Sequence, residues 1–297
     1  MNMDAFYIIL TGTFVAWLCG ILGVFIVLRK LSMLGDAISH AVLPGIVIAY
    51  LVSGDRSSPL LFIGAALFGV AVTVLIELLT KKAAMQSDAS VGTSFTLFFS
   101  VGIILVSLLA SRVDIDADCV LHGEIGLVPF DRLYWGDVDY GPRQLWVIGI
   151  SLLVVSLILI KAYKGLYLTS FNSEFAASLG VGIAGWHYLL MSSVSLATVV
   201  SFEAVGAILV VGFLVIPPAC AWLWSRRLNE MIFITLAVGL VSAVAGYYIA
   251  VWLDSSIAAT MCVVALLLFI ISFVVNPRHG VLKKWIYKPK HRQYAPM

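Results

Sequence analysis

Asp36 and His40 stand four residues apart in the run Gly35-Asp36-Ala37-Ile38-Ser39-His40-Ala41-Val42-Leu43-Pro44-Gly45. In an α-helix positions i and i+4 share a face, so a carboxylate and an imidazole would lie one above the other and could grip a common ion, with Ser39 beside them. Asp36 is the only formally charged residue between Leu31 and Gly54. A charge at the centre of a membrane helix costs roughly 2.5–3.5 kcal/mol on insertion scales, so a carboxylate placed there calls for a function or a partner. Two readings follow, an ion site or a polar pair stapling two helices, and the cost favours the ion site. Pro44 removes a backbone donor and Gly45 relaxes the chain, which predicts a kink or break within a turn of His40. Carbonyls released at such a break can serve a cation, or the kink can serve packing alone.

The elements that must position this pair are membrane helices. The chain has 297 residues, of which 62% are hydrophobic and 11% charged, and its mean hydropathy is +1.06. So few polar residues cannot coat a soluble globule of this size, which makes this a polytopic membrane protein of the all-α class. Uncharged runs at 5–28, 89–111, 204–225, 231–253 and 255–275 are each long enough to cross about 30 Å of hydrocarbon. They are continuously apolar, whereas a barrel needs alternating strands of about ten residues. Spans are expected near 5–28, 35–53, 59–80, 89–111, 143–163, 186–202, 205–225, 231–253 and 256–275. That gives nine crossings, or eight if one of the two short segments between 186 and 225 is re-entrant. An outside N-terminus puts 14 of the 18 basic residues on the inner side, including Arg29, Lys30, Lys81, Lys82 and the tail residues Arg278 to Arg292. The positive-inside rule selects that orientation, with the C-terminus cytoplasmic. Residues 1–280 then form the transmembrane domain and 281–297 a basic cytoplasmic tail. No basic n-region precedes the first span, so it is expected to be a true membrane helix. Cys19, Cys119, Cys220 and Cys262 are scattered, with no disulfide framework or zinc-type pairing.

Other patterns carry less. Residues 172–185 follow Lys161 and Lys164 on the inner side, open on a candidate N-cap at Asn172 or Ser173, and continue through Glu174, Phe175, Leu179 and Gly180. A short amphipathic helix parallel to the membrane would suit docking to a motor subunit, while composition alone favours a connecting loop with a helical turn. Gly180-Val181-Gly182-Ile183-Ala184-Gly185 spells G-x-G-x-x-G but lacks the preceding buried strand that a dinucleotide site requires. No Walker A sequence occurs, so ATP hydrolysis is expected on another chain and the protein itself is not expected to be an enzyme. Asp114, Asp116 and Asp118 open like a calcium loop, but Cys119 and Ile125 stand where Gly and Glu are needed. With His122 and Glu124 they make at most a loose acidic outer loop. Glu203 and Asp254 fall at outer helix ends, where a carboxylate reaches water.

Three separated stretches carry a resemblance. Gly35 to Gly45, the loop Asp118-Cys119-Val120-Leu121-His122-Gly123-Glu124-Ile125, and Val205-Gly206-Ala207-Ile208-Leu209-Val210 leading to Pro217 closely resemble the permeases of the ABC-3 family, transmembrane subunits of bacterial ABC importers for manganese, zinc or iron(II). His122 departs from that pattern, standing where the family would carry an aromatic residue such as Phe. The resemblance implies a pair of permeases, identical or paralogous, with cytoplasmic ABC ATPases and an extracytoplasmic metal-binding protein, in the lipid of a bacterial inner membrane. No nucleic acid and no tightly bound cofactor are implied. Asp36 and His40 match the family's metal-coordinating pair, and Asn172, Glu174, Phe175, Leu179 and Gly180 fall in its coupling helix. The Leu43-Pro44-Gly45 wording is nearer the manganese/iron branch, so Mn(II) is favoured as cargo over Zn(II) or Fe(II). The alternative is a stand-alone secondary divalent-cation transporter or channel.

Overall fold

Apolar runs of 18 to 29 residues leave the backbone no partner but itself, and they fold as helices. The computed structural model describes residues 3–31, 33–54, 59–109, 124–135 and 138–276; within these, the side chains of Asp36, Ser39, Pro59, Phe62, Leu109, Tyr134, Trp135 and Val138 are not described. The order is α1 (Met3–Leu28), α2 (Met33–Ala41), α3 (Leu43–Ser53), α4 (Pro59–Lys81), α5 (Ser87–Leu109), a 3₁₀ segment (Ile125–Phe130), β1 (Arg132–Trp135), β2 (Val138–Pro142), α6 (Arg143–Phe171), α7 (Ser173–Ser178), α8 (Ile183–Val205), α9 (Ala207–Trp224), α10 (Leu228–Leu253) and α11 (Ile257–Val275). Eight of these helices, α1, α4, α5, α6 and α8 to α11, are long and apolar enough to cross a membrane. The tail from 281, and the loop carrying Asp114, Asp116, Asp118, Cys119 and His122, lie outside the described residues.

Helix α1 is the axis of the bundle. It packs against α6, α8, α9 and α10, and Leu18, Leu22 and Phe25 are fully buried. Glycine permits the close approaches: a Cβ at Gly23 would strike the Leu214 carbonyl of α9, and Gly239 of α10 faces Ala16. By contrast α4, α5 and α6 bury only a minority of their side chains, as a lipid-facing rim does.

The segments between 186 and 225 are not the short ones. Helices α8 and α9, at 23 and 18 residues, are both full spans, and the short pair is α2–α3, of 9 and 11 residues. Contacts down the pair show that it nonetheless traverses the bundle. Leu34 borders the same cavity as Ile76 and Glu77, Ile38 faces Gly69, and Gly45 faces Gly64. The partner number on α4 falls as the α2–α3 number rises, so the pair runs antiparallel to α4 along most of its length. Counting it gives nine passes among the described residues.

The expected outer loop from about 112 to 142 carries secondary structure in its described part. Its β1–β2 hairpin is antiparallel, with Arg132 opposite Pro142. Asp139 accepts from the Gly141 N–H at 2.9 Å and from Arg132. Those two donors hold its carboxyl below the usual carboxylate range. Strands of four and five residues are too short to leave a periodic apolar signal.

Candidate metal site

Helix α2 is the carrier of the Asp36/His40 pair. Its other face is committed to the bundle: Leu34, Ala37, Ile38 and Ala41 are buried, and Gly35 lies against Leu214. Leu34 and Ile38 are two residues out of step with Asp36 and His40, which puts the two pairs on opposite faces. The His40 ring meets α5 edge-on, its centroid 5.5 Å from that of Phe95 and 5.6 Å from that of Phe99. Those phenyl rings stack on each other at 5.7 Å. The two phenyl rings hold the imidazole edge-on against α5.

The depth of the pair follows from these contacts. Phe95 and Phe99 sit at the centre of the 23-residue α5, so His40 is near mid-bundle. Asp36 is one turn away, about 6 Å nearer the Lys81 end of α4. A count of spans from the sequence puts Asp36 near the inner end of its helix, and the structure moves it inward. Arg29 and Lys30 mislead that count because Arg29 tucks into the protein instead of marking the membrane edge.

Pro44 and Gly45 produce a bend with little unwinding. Helix α2 stops at Ala41 and α3 starts at Leu43, yet Val42 keeps helical angles of φ −73° and ψ −24°, and the Ile46 N–H donates to the Val42 carbonyl at 3.1 Å. Pro44 sits in the first turn of α3, where its missing donor is best tolerated. Leu43 and Pro44 lie against Gly102 of α5, and a Cβ on Gly45 would collide with the Gly64 carbonyl oxygen. Among the described side chains no three His, Cys, Asp or Glu residues converge. Asp36 and His40 of one chain would supply one oxygen-type and one nitrogen-type ligand.

Within the stretch 172–185, Ser173–Ser178 forms the short helix α7. Asn172 caps α7, its side-chain oxygen accepting from the Phe175 N–H at 2.9 Å, and Gly180 ends the turn with φ +76°. Ala176 is buried and anchors the turn, whereas Glu174, Phe175 and Leu179 are exposed. Tyr167 and Phe171 at the end of α6, whose ring centroids lie 4.8 Å apart, are exposed as well. Glu203 is exposed in the last turn of α8, within electrostatic reach of Arg143 and Asp131. Asp254 caps α10 with φ +50°. Both carboxylates occupy helix ends.

A second polar group escapes sequence reading. Glu77, on the last turns of α4, pairs with Lys81, and the Tyr188 hydroxyl of α8 interacts with the same carboxylate. His187 lies alongside. Beyond them the Arg29 Nε donates to Ser170 Oγ at 3.0 Å and its Nη2 to Thr169 Oγ1 at 2.9 Å, and burial pulls the guanidinium below its usual pKa. Available signals were the lone acid of the third span and its i+4 lysine, which read as a solvated helix end.

Comparison with known proteins covers nearly the whole chain. The family profile described as ABC 3 transport family matches residues 4–276. The chain is 42% identical over 285 residues, 96% of each protein, to the manganese transport system membrane protein MntD of Bacillus subtilis. It is 38% identical to the zinc transport system membrane protein TroD of Treponema pallidum, over 93% of this chain and 75% of that one. Among solved structures, PsaBC from Streptococcus pneumoniae in complex with Fab superposes with a TM-score of 0.78 at 29% identity, covering 95% of both chains.

Proposed function

The chain belongs to the ABC 3 transport family, and from that premise we propose that it is the permease subunit of an ATP-driven importer of divalent metal cations, with Mn(II) its principal cargo. The observation that carries the site is the depth of the Asp36/His40 helix turn, half-way through the bundle and pinned by Phe95 and Phe99. A second permease, identical or paralogous, related by a two-fold axis would bring in another Asp36/His40 pair or its counterpart. Two carboxylates and two imidazoles neutralise a divalent ion and suit Mn(II), Fe(II) or Zn(II) without a thiolate. Manganese binds most weakly of these in the Irving–Williams order, so selection falls to geometry and to the extracytoplasmic protein that delivers the ion. Similarity to the manganese protein of Bacillus subtilis supports Mn(II), and similarity to a zinc protein keeps the donor set general.

The inner side holds the motor. Exposed Glu174, Phe175 and Leu179 on α7 form the surface on which a cytoplasmic ABC ATPase docks, and its movement tilts the helices to switch the site from outward to inward access. The basic tail from 281 lies on that same cytoplasmic side, opposite an external N-terminus. Accumulation of radioactive manganese in cells carrying the complete transporter tests the site. Asp36→Ala and His40→Ala at wild-type protein levels should reduce uptake to background, and normal uptake would remove the assignment. For the docking surface, Glu174→Lys should weaken co-purification of the ATPase, and unchanged association would leave α7 a mere connector. A secondary transporter would instead carry metal in vesicles lacking the ATPase.

A further inference from the structure

Behind α2, on the face away from Asp36 and His40, lies an open cavity of about 280 Å³ bordered by Arg29, Glu77, Lys81, Ser87, Thr169 and His187. Its charges are Arg29 (+1), Lys81 (+1) and Glu77 (−1), leaving +1 with His187 neutral. Glu77 is spoken for by Lys81 and Tyr188, although its Oε2 is buried without a hydrogen bond of good geometry. Arg29 is different: its two hydrogen bonds go to neutral hydroxyls, and among the described residues no carboxylate forms an ion pair with it. A half-buried guanidinium held in place by hydroxyls, and ion-paired to no acid among the described residues, is built to meet an anion. One helix start adds to the positive field: Ile183 and Ala184 open α8, whose N-terminus has no side-chain cap and no acid in its first turn, and both border the cavity. Ser87 also borders it at the start of α5, whose first turn carries Asp88.

We propose that this cavity binds a phosphate group, with Arg29, Lys81 and His187 as charged or hydrogen-bonding partners and the Ser87 and Thr169 hydroxyls beside them. Its volume admits a phosphate-bearing head group but no acyl chain, so a lipid would enter head first. Basic pockets between membrane helices at the inner surface take anionic head groups in this way. A free phosphate offers the same oxygens. The bound group would brace the side of α2 that does not carry the metal pair. Placing the cavity on the cytoplasmic side rests on the orientation proposed above, whereas phosphate binding itself does not.

Native mass spectrometry of the delipidated permease–ATPase complex, titrated separately with phosphatidylglycerol and with inorganic phosphate, tests the site. One phosphatidylglycerol retained per permease, not displaced by millimolar inorganic phosphate, identifies a lipid head group; a single phosphate adduct without lipid identifies the soluble source. In either case Arg29→Gln should lower occupancy at least tenfold. Ser87→Asp, an exposed change that suits a helix start, should expel the ligand through like charge while leaving the complex assembled. No adduct from either probe on the wild-type complex overturns the proposal. So does equal occupancy in wild type and in assembled Ser87→Asp protein.

Discussion

Two groups in the bundle, Asp36/His40 and Glu77/His187, are both built from an acid and a histidine but differ in their surroundings. Asp36/His40 occupies the middle of the bundle, where the His40 ring meets the Phe95 and Phe99 rings edge-on. Glu77/His187 occupies the rim, where Lys81 takes the carboxylate and Arg29 adds a second positive charge. The difference teaches that donor type alone does not make a cation site. Surrounding charge decides, and at a few ångströms in a low-dielectric setting one extra cation outweighs a pair of good ligands.

The largest test of this contrast is uptake by matched variants. His40→Ala should cut metal accumulation by more than about tenfold, since even outer-shell losses at metal sites cost roughly 10–100-fold. His187→Ala should leave it within about threefold; equal losses would break the comparison. Next come the helix contacts beside each group. Gly45→Ala pushes a methyl into the Gly64 backbone, and should cost about 1–3 kcal/mol, read as a lower Tm with reduced uptake. Gly165→Ala near the rim meets only the Trp186 side chain, and should cost about half as much because a ring can shift where a carbonyl cannot. Pro44→Ala supplies the donor absent one turn after His40; stiffening the bend should reduce uptake about two- to fivefold with protein level unchanged. Asn172→Ala should give the smallest effect, roughly 1 kcal/mol of local helix stability lost at 173–178. Faster amide exchange confined to that segment would register it.

The helices were legible because each long span holds an apolar window of 18 residues with at most two charges, and Asp36 and His40 were legible because they interrupt an otherwise apolar stretch. Their spacing also gave the shared face directly. Depth was not legible. Arg29 resembles a membrane-edge residue in sequence, but the chain reverses at Lys30, whose φ is +58°, and the Leu31 N–H caps the Ile26 carbonyl at 3.0 Å, leaving Arg29 to pack inward on Thr169 and Ser170 from 140 residues away. Glu77 and His187 were invisible for a similar reason: 110 residues separate them, and only the packing of α4 on α8 brings them together. Asn172 and Gly180 did announce the ends of α7, since an N-cap and a left-handed stop are local chemistry. That its Phe175 and Leu179 would remain uncovered is a property of the fold.

Gly45 and Gly64 have a mechanical consequence. Backbone against backbone, α3 and α4 cannot roll over each other without a clash, so they behave as a single plank. Helix α2, beyond the Val42 bend, is a separate rod about 13 Å long, attached to that plank at one end. Any force that swings the rod moves Asp36 farther than His40, because Asp36 is the more distant from the pivot. The two ligands of one chain would therefore part company with the ion in sequence, carboxylate first.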